Sequence, residues 1–73
     1  MQQAGLITER KVWEFVFHRF AEPHRWTWTQ VSRNGRIIQK SPGSHSSLAA
    51  AIMEATCRGF DAFEDRYQVL ELD

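Results

Sequence analysis

The sequence predicts an α+β domain: a three-stranded antiparallel meander, then one helix, then a short fourth strand, with two copies paired as a homodimer. Three observations carry this. "RWTWTQVS" alternates tryptophan and threonine at period two and runs into Asn34-Gly35, the strongest short signal for a hairpin. "SSLAAAIMEATCR" follows a Pro-Gly break with a serine cap and an alanine-rich helical run. The strands carry apolar residues on both faces, and one short helix covers only one of them.

Residues 1–10 are mostly polar and read as a flexible lead-in, leaving 11–73 as a single domain. Val12 to Phe20, "VWEFVFHRF", is rich in aromatic and β-branched residues and reads as the first strand. "AEPH" is a turn, and "RWTWTQVS" the second strand. Asn34-Gly35 is expected as a type I′ turn, with positive φ at both residues. "RIIQKS" returns as the third strand until Pro42-Gly43 ends it.

Ser46 or Ser47 is placed to cap the helix. Leu48, Ile52 and Ala55 make its apolar stripe, and Glu54 stands four residues before Arg58 in the favourable order for an ion pair. Gly59 is a C-terminal stop, "FDAFEDR" an extension or a further short turn, and "YQVLEL" the fourth strand.

A two-residue turn sets Ser32 opposite Ile37, Val31 opposite Ile38 and Gln30 opposite Gln39. One face then carries Trp26, Trp28 and Ile37, the other Thr27, Thr29, Val31 and Ile38. In the first strand Trp13, Phe15 and Phe17 lie on one side, with Val12, Val16 and Phe20 on the other.

A chain of 73 residues builds a thin core, and domains of this size lean on disulfides, metals or partners. Cys57 is the only cysteine, so an internal disulfide is excluded and a partner chain gains weight. Nine basic and nine acidic residues balance to zero, whereas general nucleic-acid binders carry a basic excess. No run reads as a signal peptide or a membrane span, so a cytoplasmic protein without membrane contact is expected.

Trp28, Asn34-Gly35, Ile37-Ile38, Ser41, Gly43, Ser46-Ser47 and Ala49 to Ala51 follow one another as strand, "NG" turn, double-isoleucine strand and serine-capped helix. In this order the run from Trp26 to Ile52 resembles the YegP-like family of small bacterial domains of unknown function. The resemblance implies a β-β-β-α unit, found in tandem in one chain or as single units that pair between chains. It implies no activity and no cofactor.

His18, His24, His45 and Cys57 lack metal-ligand spacing, so no metal site is expected. Cys57 reads as a small buried hydrophobe within the helix. "SPGSHSS" contains neither a phosphate-cradling loop nor a nucleophile elbow, and serves turns and caps. The carboxylates Glu64, Asp65, Glu71 and Asp73 read as a solvated edge.

The reading is therefore a non-catalytic structural or protein-interaction module with an unidentified partner, without cofactor. The alternative is a binder of single-stranded nucleic acid or an acidic ligand. It would use Arg25, Arg33, Arg36 and Lys40, clustered on or beside the hairpin near Trp26 and Trp28. An enzyme has the least support, because no acid, base or nucleophile constellation stands out.

Overall fold

The computed structural model describes residues 11–72, so the predicted lead-in lies outside the described residues. The elements are β1 (Lys11–His18), β2 (Arg25–Ser32), β3 (Ile37–Lys40), α1 (Leu48–Cys57) and β4 (Arg66–Leu72). They form an α+β fold whose four-stranded sheet has the order β3-β2-β1-β4. The first three strands are the expected antiparallel meander. The fourth strand is present but runs parallel to β1, which makes the sheet mixed.

β1 stops at His18, short of the predicted end at Phe20. Phe20 stands in the following turn, exposed, with the Arg19 guanidinium 5.1 Å from its ring centroid.

The β2–β3 hairpin departs from the type I′ turn. Gly35 has φ +86°, but no residue other than glycine among those described has a positive φ, so Asn34 cannot occupy a type I′ position. Instead the Gly35 N–H donates to the Ser32 carbonyl at 2.9 Å, and the Ser32 N–H donates to the Arg36 carbonyl at 2.8 Å. This is a type I turn closed by a left-handed glycine, in a three-residue loop of Arg33, Asn34 and Gly35. Side chains favour it: the Ser32 hydroxyl donates to Asn34 Oδ1, and the Arg36 N–H reaches Asn34 Oδ1 and Ser32 Oγ, each at 3.3 Å.

The longer loop moves the register by one residue. Val31 pairs with Ile37 rather than Ile38, and Ser32 meets Arg36 rather than Ile37. A bulge between Gln30 and Val31 then restores the expected Gln30–Gln39 pair. Ile37 therefore shares a face with Val31 instead of the tryptophans, and is exposed.

α1 begins as foreseen, with Ser47 Oγ accepting from the Ala50 N–H at 3.1 Å. It ends in a Schellman motif. Gly59 takes φ +111°, its N–H donates to the Thr56 carbonyl at 3.2 Å, and the Phe60 N–H donates to the Ala55 carbonyl at 2.9 Å. The motif turns Phe60 back under the helix. "FDAFEDR" consequently does not extend the helix but makes a short turn pinned by Asp61 and Asp65.

The helix packs on the face of Trp13, Phe15 and Trp28, all essentially buried, with Phe60 closing the side. Ala51 and Ala55 have no exposed surface, and their small size lets the helix sit close to the large rings. Trp13 packs at a tilt on Trp28 and edge-on against Phe60, with centroids 5.4 and 5.3 Å apart. Burying a Phe-sized side chain contributes about 1.5–3 kcal/mol, so these few rings carry most of the stability of a thin core.

Gln30 is buried on this same side. Its Oε1 accepts from Gln39 Nε2 at 2.8 Å, and Gln39 Nε2 also reaches the Arg58 carbonyl at 3.2 Å. The pair thus satisfies a carbonyl at the helix end that would otherwise lack a partner.

Candidate interaction surface

On the face away from the helix, pairing across strands sets out rungs. One rung runs Ile37, Val31, Val12 and Arg66; the next runs Lys40, Thr29, Glu14 and Gln68. Thr27, Val16 and Leu70 form a third, and Arg25, His18 and Leu72 a fourth. The polar rung is internally bonded: Gln68 Nε2 donates to Glu14 Oε2 at 2.9 Å, and Thr29 Oγ1 to Glu14 Oε1 at 3.5 Å. His18 Nε2 bonds Thr27 Oγ1 at 2.8 Å. This face has apolar side chains, as expected, but polar rungs interrupt them.

The four basic residues are placed apart. Arg33 is in the hairpin loop and Arg36 closes it, both exposed. Arg25 opens β2 at the other end, seven positions from Ser32 or about 23 Å along a strand. Lys40 stands between, opposite Thr29. The aromatics that would serve as stacking platforms are drawn away from them, because Trp28 is buried under the helix and Trp26 packs against the core.

One polar node is built into the helix side. Glu54 Oε1 accepts from Trp28 Nε1 at 3.0 Å and meets His45 Nε2 at 2.7 Å. The expected Glu54–Arg58 pair is replaced by these inward contacts, although the Arg58 charge still acts on Glu54. Above all the His45 hydrogen bond holds the Glu54 carboxyl below its ordinary value; burial opposes the shift, and the Trp28 bond and the nearby charges assist it.

His45 is fixed from its backbone too, exchanging hydrogen bonds with Trp26 at 2.7 and 2.8 Å. In a nucleophile–histidine–carboxylate triad such a pair orients the ring, and the other ring nitrogen takes the nucleophile's proton. Among the described residues, His45 makes its only side-chain hydrogen bond to Glu54. The node ties the loop before the helix to the sheet. Cys57, expected as a buried hydrophobe, is exposed at the last position of α1.

β4 is the most exposed apolar element. All seven of its residues are exposed, and Tyr67, Val69, Leu70 and Leu72 are among them. The helix lies over β2 and β1, so Tyr67 and Val69 are left open on the helix side at the sheet's edge. Tyr67 keeps one ring edge against Phe60, with centroids 5.7 Å apart. The run "YQVLEL" marks this strand, but its place at an edge follows only from the crossover made by the helix.

No family model matches the chain, and neither the curated proteins nor the solved structures contain a match. Among the described residues no helix is long and apolar enough to cross a membrane, and no three metal-ligating side chains come together.

Proposed function

We propose that this protein is a small non-catalytic interaction module that works as a homodimer. One observation carries the reading: a whole strand, β4, stands exposed at the sheet edge with Tyr67, Val69, Leu70 and Leu72 uncovered. A lone exposed apolar residue is ordinary, but four of them on one unpaired edge strand mark a contact surface. The polar groups that gather elsewhere, Trp28, His45 and Glu54, are spent on one another. The resemblance to YegP-like domains supports the same reading, since single units of that kind pair between chains.

Light scattering coupled to size exclusion tests it, with thermal melts over a hundredfold dilution. A two-chain mass and a melting temperature that rises with concentration are expected, because association stabilises the folded state by mass action. A one-chain mass with a concentration-independent melting temperature would overturn the reading.

A further inference from the structure

We infer that the two copies join edge to edge through β4, antiparallel, with Val69 on the two-fold axis. The inference rests on the homodimer reading above and names its contact.

The sheet's two edges are unequal. β3 is four residues long, is interrupted by a bulge, carries Lys40 and is followed by Pro42. These are the features by which native edges discourage pairing. β4 is seven residues long, pairs with β1 without any irregularity, and contains no proline, glycine or lysine.

The direction of its free backbone groups can be read from one bond. The Arg19 N–H donates to the Leu72 carbonyl at 3.1 Å, so Leu72 points its backbone groups toward β1. Strand alternation then turns Arg66, Gln68 and Leu70 inward as well, and Tyr67, Val69 and Glu71 outward. The free edge therefore offers three outward N–H and C=O pairs.

Only one two-fold register uses all three. With Val69 on the axis, Val69 faces its own copy, and Tyr67 of each chain faces Glu71 of the other. On the opposite face Arg66 meets Leu72, and Gln68 meets Leu70. No like charges oppose one another, and the tyrosine hydroxyl is set beside a carboxylate. Centring on Gln68 instead would bring Asp65 opposite Glu71 and leave one outward pair idle. Zero net charge adds no overall repulsion between copies. The result is a continuous sheet of twice four strands with both helices on one side.

The geometry selects its own probes. Val69→Pro removes an outward N–H while sparing the bonds to β1, as proline allows at an edge. Val69→Lys sets two like charges together on the axis, at a side chain that is half exposed. Val69→Cys, made with Cys57→Ser, puts two thiols opposite each other with Cα atoms about 5.5 Å apart, within disulfide range. Ile37→Cys in the same background is the control on the other edge.

Circular dichroism and light scattering on these variants, with non-reducing gels under mild oxidation, give the readout. Expected are a folded one-chain mass for Val69→Pro and Val69→Lys, and rapid cross-linking of Val69→Cys but not Ile37→Cys. A wild-type dimer that persists in Val69→Lys, or cross-links at position 37 and not at 69, would overturn this contact and leave the homodimer standing. A monomeric wild type would overturn both. Should Val69→Pro fail to fold, the lysine and cysteine variants still decide.

Discussion

Glu54 shows how one side chain can fasten three parts of a small fold. It sits on α1, holds the indole of β2, and receives the ring of His45 from the loop between β3 and α1. Its carboxyl is held below the ordinary value, so the folded protein favours the ionised form more than the unfolded chain does. A folded pKa below the unfolded one gives stability that is complete above the unfolded value, and that is lost as pH falls through the folded value. Glu54→Gln keeps the shape but not the charge. Its melting temperature is expected to lie below wild type at pH 7, with the gap closing as pH drops through the carboxylate range. Parallel melts from pH 7 to pH 3 measure this, and a gap that stays constant would refute the role of ionisation.

At the scale of elements, the Schellman motif joins helix end to core. Gly59 holds a left-handed conformation while Phe60 reaches back to Ala55 and its ring enters the cluster of Trp13 and Phe15. Nothing lies within 4 Å of a Cβ added at Gly59, so Gly59→Ala tests backbone conformation alone. It is expected to cost about 1–2 kcal/mol, the penalty of a side chain in that region. For a domain of this size each 1 kcal/mol lowers the melting temperature by roughly 4–8 °C. An unchanged melt would mean that the helix ends differently in solution.

Legibility in the sequence follows a physical division at this same scale. The faces of β1 and β2, the Ser47 cap and the Gly59 stop were readable because each depends on residues a few positions apart. The hairpin was readable but its turn type was not, since Asn-Gly suits both a type I′ turn and a type I turn closed by glycine. The Ser32 and Asn34 side chains decided between them. The sequence pairs Glu54 with Arg58, its neighbour along the helix, whereas His45 reaches it only once the loop has folded. The basic residues could be named but not placed, because the bend of the hairpin and the length of β2 separate them.

For the whole molecule, the question is whether β-β-β-α suffices or whether β4 completes the fold. β4 pairs with β1 from Val12 to His18, and Tyr67 supplies an aromatic edge to both Phe15 and Phe60. Without β4, the N–H and C=O groups of Trp13, Phe15 and Phe17 would lose their ladder partners. The buried rings beside them would then gain solvent on one flank. Unpaired backbone beside a small core is costly, and a domain with few large rings has little margin to absorb it. A chain ending at Asp65 is therefore expected to lose its cooperative melt and the dispersed amide signals of a fixed sheet, and to aggregate through the bared edge of β1. Two-dimensional amide spectra and thermal melts of this truncation alongside the full chain measure it. If the truncated chain keeps dispersed spectra and a sharp transition, the three strands and helix are self-sufficient. β4 would then serve contact with a partner alone.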